Sequence, residues 1–87
     1  MLLRMQEGMR IENPRNYEGD AVENLRILLA NGGEAECDPR REYFYQLEDN
    51  NSAYYIHISP ITGNVVLLAK WVHQPQSAYV DSGSLVA

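Results

Sequence analysis

The sequence predicts an α+β domain, one helix packed on an antiparallel three-stranded meander. Three observations carry this expectation. Residues 43–72 hold six of the eight aromatic residues and are divided by two turn signals. The strand registers that those turns imply place one apolar set on a single face. Upstream, residues 20–33 form an amphipathic segment with start and stop signals.

Residues 1–16 give the least regular pattern. Met1, Met5 and Met9 fall at helical spacing but Gly8 interrupts them, while Met9 and Ile11 alternate with Arg10 and Glu12. That alternation suits a short edge strand at 9–12, closed by Pro14, leaving room for a fourth strand at the N-terminus. The methionines read as packing material, since the unbranched thioether fills irregular gaps.

The helix is expected over about 21–31. Asp20-Ala21-Val22-Glu23 matches a capping box, in which each acidic side chain accepts from the other residue's amide. Ala21, Val22, Leu25, Leu28 and Leu29 form one apolar stripe, with Ile27 off it. Asn31-Gly32-Gly33 ends the helix, because glycine takes a left-handed conformation without steric cost. Residues 33–41, GEAECDPRR, read as a polar connection with a turn at Asp38-Pro39.

The strands are expected at about 42–48, 53–59 and 64–72. Asn50-Asn51 sets a two-residue hairpin, because asparagine tolerates positive φ. It opposes Leu47 to Tyr54, Tyr45 to Ile56 and Tyr43 to Ile58. The turn Ser59-Pro60-Ile61-Thr62-Gly63-Asn64 then opposes Ile58 to Val65, Ile56 to Leu67 and Tyr54 to Ala69. Together the two registers place Tyr43, Tyr45, Leu47, Tyr54, Ile56, Ile58, Val65, Leu67, Ala69 and Trp71 on the face the helix covers. A slip of one residue would scramble that set.

The opposite face carries Phe44, Tyr55, His57, Val66, Leu68 and Lys70, with Gln46, Glu48, Ala53 and Val72. Its apolar members are too many for a solvated face, so it is the expected interaction surface. The N-terminal arm, the C-terminal tail, a second copy or another protein would cover it. Protonation of His57 would weaken such a contact. The domain is expected over 1–73. A tail of low order follows over 74–87, where Tyr79-Val80 and Leu85-Val86 offer anchors to the open face.

Composition narrows the function classes. Net charge is −5, with Arg40-Arg41 the only basic candidate patch among the loops, so no nucleic-acid partner is expected. Cys37 is the lone cysteine, which rules out an intramolecular disulfide, and its setting between Glu36 and Asp38 discourages a nucleophile. Cys37, His57 and His73 lack metal-ligand spacing, and neither a nucleophile elbow nor a phosphate loop is present. No enzyme activity, metal or cofactor is therefore expected. The N-terminus has no apolar run of signal-peptide length and no stretch has the length of a membrane span, so a soluble, cytoplasmic protein without a membrane partner is expected.

The segments Asp20 to Leu29, Tyr43 to Leu47 and Tyr54 to Val66, the last closing in S-P-x-T-G-x-V, together resemble the PepSY domain family. That resemblance implies a small helix-on-sheet binding module, usually extracytoplasmic and associated with peptidase inhibition. This chain departs from it in a long third strand through Leu68 to Val72. Two functional expectations result: a non-catalytic interaction module that self-associates as a dimer through its open face, or a PepSY-like domain that binds and inhibits a protease or other extracytoplasmic protein.

Overall fold

The computed structural model describes residues 1–72. Within them lie the strands β1 (Leu2–Leu3) and β2 (Ile11–Glu12), the helix α1 (Gly19–Asn31), and the strands β3 (Gly33–Cys37), β4 (Phe44–Glu48), β5 (Ser52–Ile58) and β6 (Val65–Val72). The strands form one curled sheet in the order β1-β3-β4-β5-β6-β2, antiparallel except where β2 runs parallel to β6. The expectation of one helix on a three-stranded meander is thereby corrected to one helix on a six-stranded mixed sheet. The anticipated N-terminal strand is Ile11–Glu12.

On α1, Ala21, Leu25 and Leu29 are buried at four-residue intervals, with Val22 and Leu28 packed on the core beside them. Ile27 is half exposed. The capping box does not form, because the helix starts two residues too early for it. Glu18 occupies the N-cap and no side chain caps the end. The Glu18 carbonyl instead accepts from the amides of Ala21 (3.0 Å) and Val22 (3.4 Å). Asp20, already in the first turn, favours the helix only through the dipole. At the other end Gly32 has φ +89° and donates to the Leu29 carbonyl at 3.2 Å.

The segment expected to be a polar connection is the strand β3. Ala35 lies opposite Leu47, Glu36 opposite Gln46, and Cys37 opposite Tyr45. Its alternation is real: Gly33 and Ala35 are buried, Glu34 and Glu36 exposed. Glycine and alanine are weak strand formers, so propensity hid the pattern. The small residues are there for space, since a Cβ on Gly33 would lie 3.0 Å from Leu47 Cδ1 and 3.2 Å from Leu28 Cγ.

The N-terminal arm joins β1 and β2 at opposite edges of the sheet. Its Met5 amide donates to the Leu29 carbonyl at 2.9 Å, and Leu3, Met5, Met9 and Ile11 pack on the core. That core joins Leu25 and Leu29 to Ala35, Leu47, Tyr54, Ile56, Val65 and Leu67. Fully burying each large aliphatic side chain contributes about 1.5–3 kcal/mol.

Both hairpins keep the registers expected near their turns, although neither Asn50 nor Asn51 takes the positive φ on which the first turn was expected to rest; Asp49 closes it instead. Asp49 Oδ1 accepts from the amides of Asn51 and Ser52, each at 2.8 Å, and the Asp49 amide donates to the Ser52 carbonyl. This opposes Leu47 to Tyr54 and Tyr45 to Ile56 as expected. In the second turn Ser59 Oγ accepts from the Ile61 and Thr62 amides, both at 3.2 Å, and Gly63 has φ +77°. Ile58 then opposes Val65, and Ile56 opposes Leu67. Beyond that point a β-bulge shifts the register, so that Tyr55 opposes Ala69, Tyr54 opposes Lys70 and Ala53 opposes Trp71. Ala69 and Trp71 therefore leave the core face on which they were expected, and Lys70 moves to the face of Tyr54. The Lys70 amide donates to the Tyr17 hydroxyl at 3.3 Å, which ties the shifted strand to the core side.

Candidate functional site

The face turned away from the core is ordered by the registers into three rows across the strands. Phe44, His57, Val66 and Glu12 make the first, next to the loop 38–43. Glu36, Gln46, Tyr55 and Ala69 make the second. Glu48, Ala53 and Trp71 make the third, with Glu34 beside it on β3. Leu68 is the extra residue of the bulge. Phe44, Tyr55, Val66 and Leu68 are half-buried yet belong neither to the core nor to the side chains packed against it. Trp71 is 54% exposed.

Phe44 is the centre of an aromatic cluster. Its ring stacks on His57 at 4.4 Å and on Tyr55 at 5.9 Å between centroids, and the Arg41 guanidinium lies 3.8 Å from its centroid. The backbone directs this arrangement. Tyr43 sits at φ +69°, a left-handed conformation that costs a non-glycine residue on the order of 1–2 kcal/mol. Its carbonyl accepts from the Ile58 amide at 2.9 Å and meets His57 Nδ1 at 3.0 Å. Because a carbonyl only accepts, that contact puts the proton on Nδ1.

The polar groups of the cluster are paired locally. The Tyr55 hydroxyl donates to Asp38 Oδ2 at 2.6 Å, and the Arg40 amide donates to Asp38 Oδ1 at 2.8 Å. These two donors, followed by the charges of Arg41 and Arg40, hold the Asp38 carboxyl below its usual range. The same hydrogen bond, with some desolvation, pushes the Tyr55 phenol up. Tyr55 can therefore lose its water without losing its hydrogen bond.

Of the expected interaction residues, Phe44, Tyr55, His57 and Val66 come together in the first two rows and Leu68 joins them through the bulge. Lys70 does not: the shifted register sets it opposite Tyr54, on the core side of the sheet. Asp38, Arg41 and Trp71 are the members that sequence reasoning placed elsewhere. Asp38 reads as a turn residue, and only the fold brings it under the hydroxyl of Tyr55, seventeen residues on. The N-terminal arm packs on the core instead of covering this face. The anchors suggested at Tyr79-Val80 and Leu85-Val86 lie outside the described residues.

Cys37 is exposed at the end of β3, its Sγ 3.5 Å from the Met1 Sδ. Among the described residues, no group of three or more His, Cys, Asp or Glu side chains is placed to hold a metal ion, and no helix is long and apolar enough to cross a membrane. No protein-family model matches the chain, and no curated protein matches its sequence.

Proposed function

We propose that this chain is a non-catalytic interaction module that pairs with a second copy of itself through the outer sheet face. The observation that carries the reading is the strip formed by Phe44, Tyr55, Val66, Leu68 and Trp71 on the side away from the core. Monomers rarely leave an apolar patch of this kind to water. The strip has the composition of an interface centre, aromatic residues with an arginine laid over one of them. Its Tyr55 hydroxyl and His57 Nδ1 are already paired within the chain, so covering them adds no unsatisfied group. A chain of this size also gains from a partner, because its own core is small.

Sedimentation from low to high micromolar concentration tests the reading. The expected result is a concentration-dependent dimer that Tyr55→Glu converts to a folded monomer. A compact monomer at high micromolar concentration, unchanged by Tyr55→Glu, would overturn it. Removing residues 73–87 should leave the dimer intact; a monomer that dimerises only after this deletion would show that the chain's own C-terminal segment is the occupant.

A further inference from the structure

We infer that pairing through the outer face is controlled by pH, holding while His57 is neutral and loosening as its ring takes up a proton. This rests on the self-pairing reading of that face. Histidine is the side chain whose charge ordinarily changes between about pH 5 and 8. His57 lies in the first row between Phe44 and Val66, within the strip that a second copy covers. Its ring stacks on Phe44 at 4.4 Å, and its Nδ1 is committed to the Tyr43 carbonyl at 3.0 Å. The added proton therefore goes to Nε2, which has no hydrogen-bond partner among the described residues.

The groups around the ring decide what that proton does. On β4 it meets Phe44, which already carries the Arg41 guanidinium 3.8 Å from its centroid. Arg40 and Glu42 flank Arg41 in the loop, where the two oxygens of Asp38 are engaged by the Tyr55 hydroxyl and the Arg40 amide. On β5 the next side chain on this face is Tyr55, its hydroxyl given to Asp38. On β6 it faces Val66, and beyond that on β2 lies Glu12, whose Oε2 accepts from Asn64 Nδ2 at 3.2 Å. Among the described residues the ion pairs are Met1 with Glu34 and Arg26 with Glu23, so no carboxylate lies within salt-bridge distance of His57. A protonated ring thus sets a second cation on the aromatic that Arg41 occupies, with no acid of its own chain against it. Water screens that charge in the free chain. Between two copies the water is gone, and burial disfavours the charged form. A two-fold contact carries the penalty twice, once in each copy.

Each copy must therefore release its proton to pair. Once the free chain carries it, affinity falls by up to about tenfold per pH unit for each histidine. The test is sedimentation of the full chain at constant ionic strength between about pH 8 and 5.5, above the ordinary range of carboxylates, with folding checked by circular dichroism. The wild-type dissociation constant should rise about tenfold or more on acidification across that range. His57→Asn keeps an amide donor for the Tyr43 carbonyl and cannot become charged. Its constant, whatever the value at pH 8, should change less than about threefold. His73→Asn removes the other histidine and should keep the wild-type dependence. An NMR titration needs no substitution: the His57 ring should protonate at lower pH in concentrated than in dilute protein. A wild-type constant that is flat, or that tightens on acidification, would overturn the switch and leave self-pairing standing. So would a dependence that survives in His57→Asn or vanishes in His73→Asn. If His57→Asn does not pair at any pH, the NMR comparison decides, and equal midpoints at both concentrations overturn the switch. A wild type that stays monomeric at pH 8 and high micromolar concentration removes the self-pairing reading itself, and the switch with it.

Discussion

Replacing Tyr54 by phenylalanine should reverse the order of stability between neutral and alkaline pH. Tyr54 is fully buried, and its hydroxyl donates to Asp49 Oδ2 at 3.1 Å. Burial, reinforced by that hydrogen bond, pushes the phenol from its ordinary 10.0 up to about 12. A raised acid is held neutral by the fold. Its contribution is complete below the unfolded value and is lost as pH rises through the folded one. Two pH units correspond to about 3 kcal/mol, with about half of it gone by pH 11. At pH 7 Tyr54→Phe forfeits a hydrogen bond to a partly exposed carboxylate and should cost about 1–2 kcal/mol. Above pH 10 the wild type loses its share and the variant does not. Urea denaturation of both proteins from pH 7 to 12 should give curves that cross near pH 11. Parallel curves, with a constant difference at every pH, would refute the assignment of the buried phenol as the group responsible.

Other predictions concern the elements that position the outer face. Gly33→Ala should destabilise the fold by about 1–2 kcal/mol, as the new methyl meets Leu47 and Leu28 at 3.0–3.3 Å; an unchanged urea midpoint would show that these side chains yield freely. Leu29→Ala should cost about 2–5 kcal/mol and Ile27→Ala less than about 0.5, the difference between a core position and a half-exposed one; similar losses would contradict the helix orientation. Removing the Tyr55 hydroxyl by Tyr55→Phe should move the Asp38 carboxyl back up towards 3.8, read by NMR titration. Because Asp38 is depressed in the fold, its contribution is present above 3.8 and disappears as pH falls through its lower folded value. The acid limb of the stability curve should therefore flatten in the variant. Trp71 is the single tryptophan, so its fluorescence reads the outer face directly. Acrylamide should quench it readily in dilute protein and less as concentration rises, and equal quenching throughout would argue against its burial between copies.

Much of the outer face was legible because hairpin registers are local. Asp49 and Ser59 close their turns through their own side chains. From those turns the pairing of Leu47 with Tyr54 and of Ile58 with Val65 follows by counting. Phe44, Tyr55, His57 and Val66 could be assigned to one face for that reason. Lys70 and Trp71 could not. A bulge adds one residue without any mark in L-L-A-K-W, and every residue after it changes sides. β3 was missed because its inward positions are glycine and alanine, which lack the bulk by which a buried strand is usually recognised.

What the sequence by itself determined is the helix with its buried stripe, the two turns, and the pairing within a few residues of each. These depend on 3.6- and two-residue periods, on the side chains of Asp49 and Ser59 that close their own turns, and on the positive φ of Gly32 and Gly63, all of them properties of short segments. The tertiary structure alone decided the rest. β1 and β2 find their places at opposite edges through two-residue pairings that no local pattern encodes. Gly33 has no side chain because Leu28 and Leu47 occupy the space. Asp38, Arg41, Phe44 and Tyr55 become one cluster only when the loop folds back on β5. Contacts between distant segments follow from the volume and hydrogen-bonding capacity left by neighbours, and those exist only once the chain is packed.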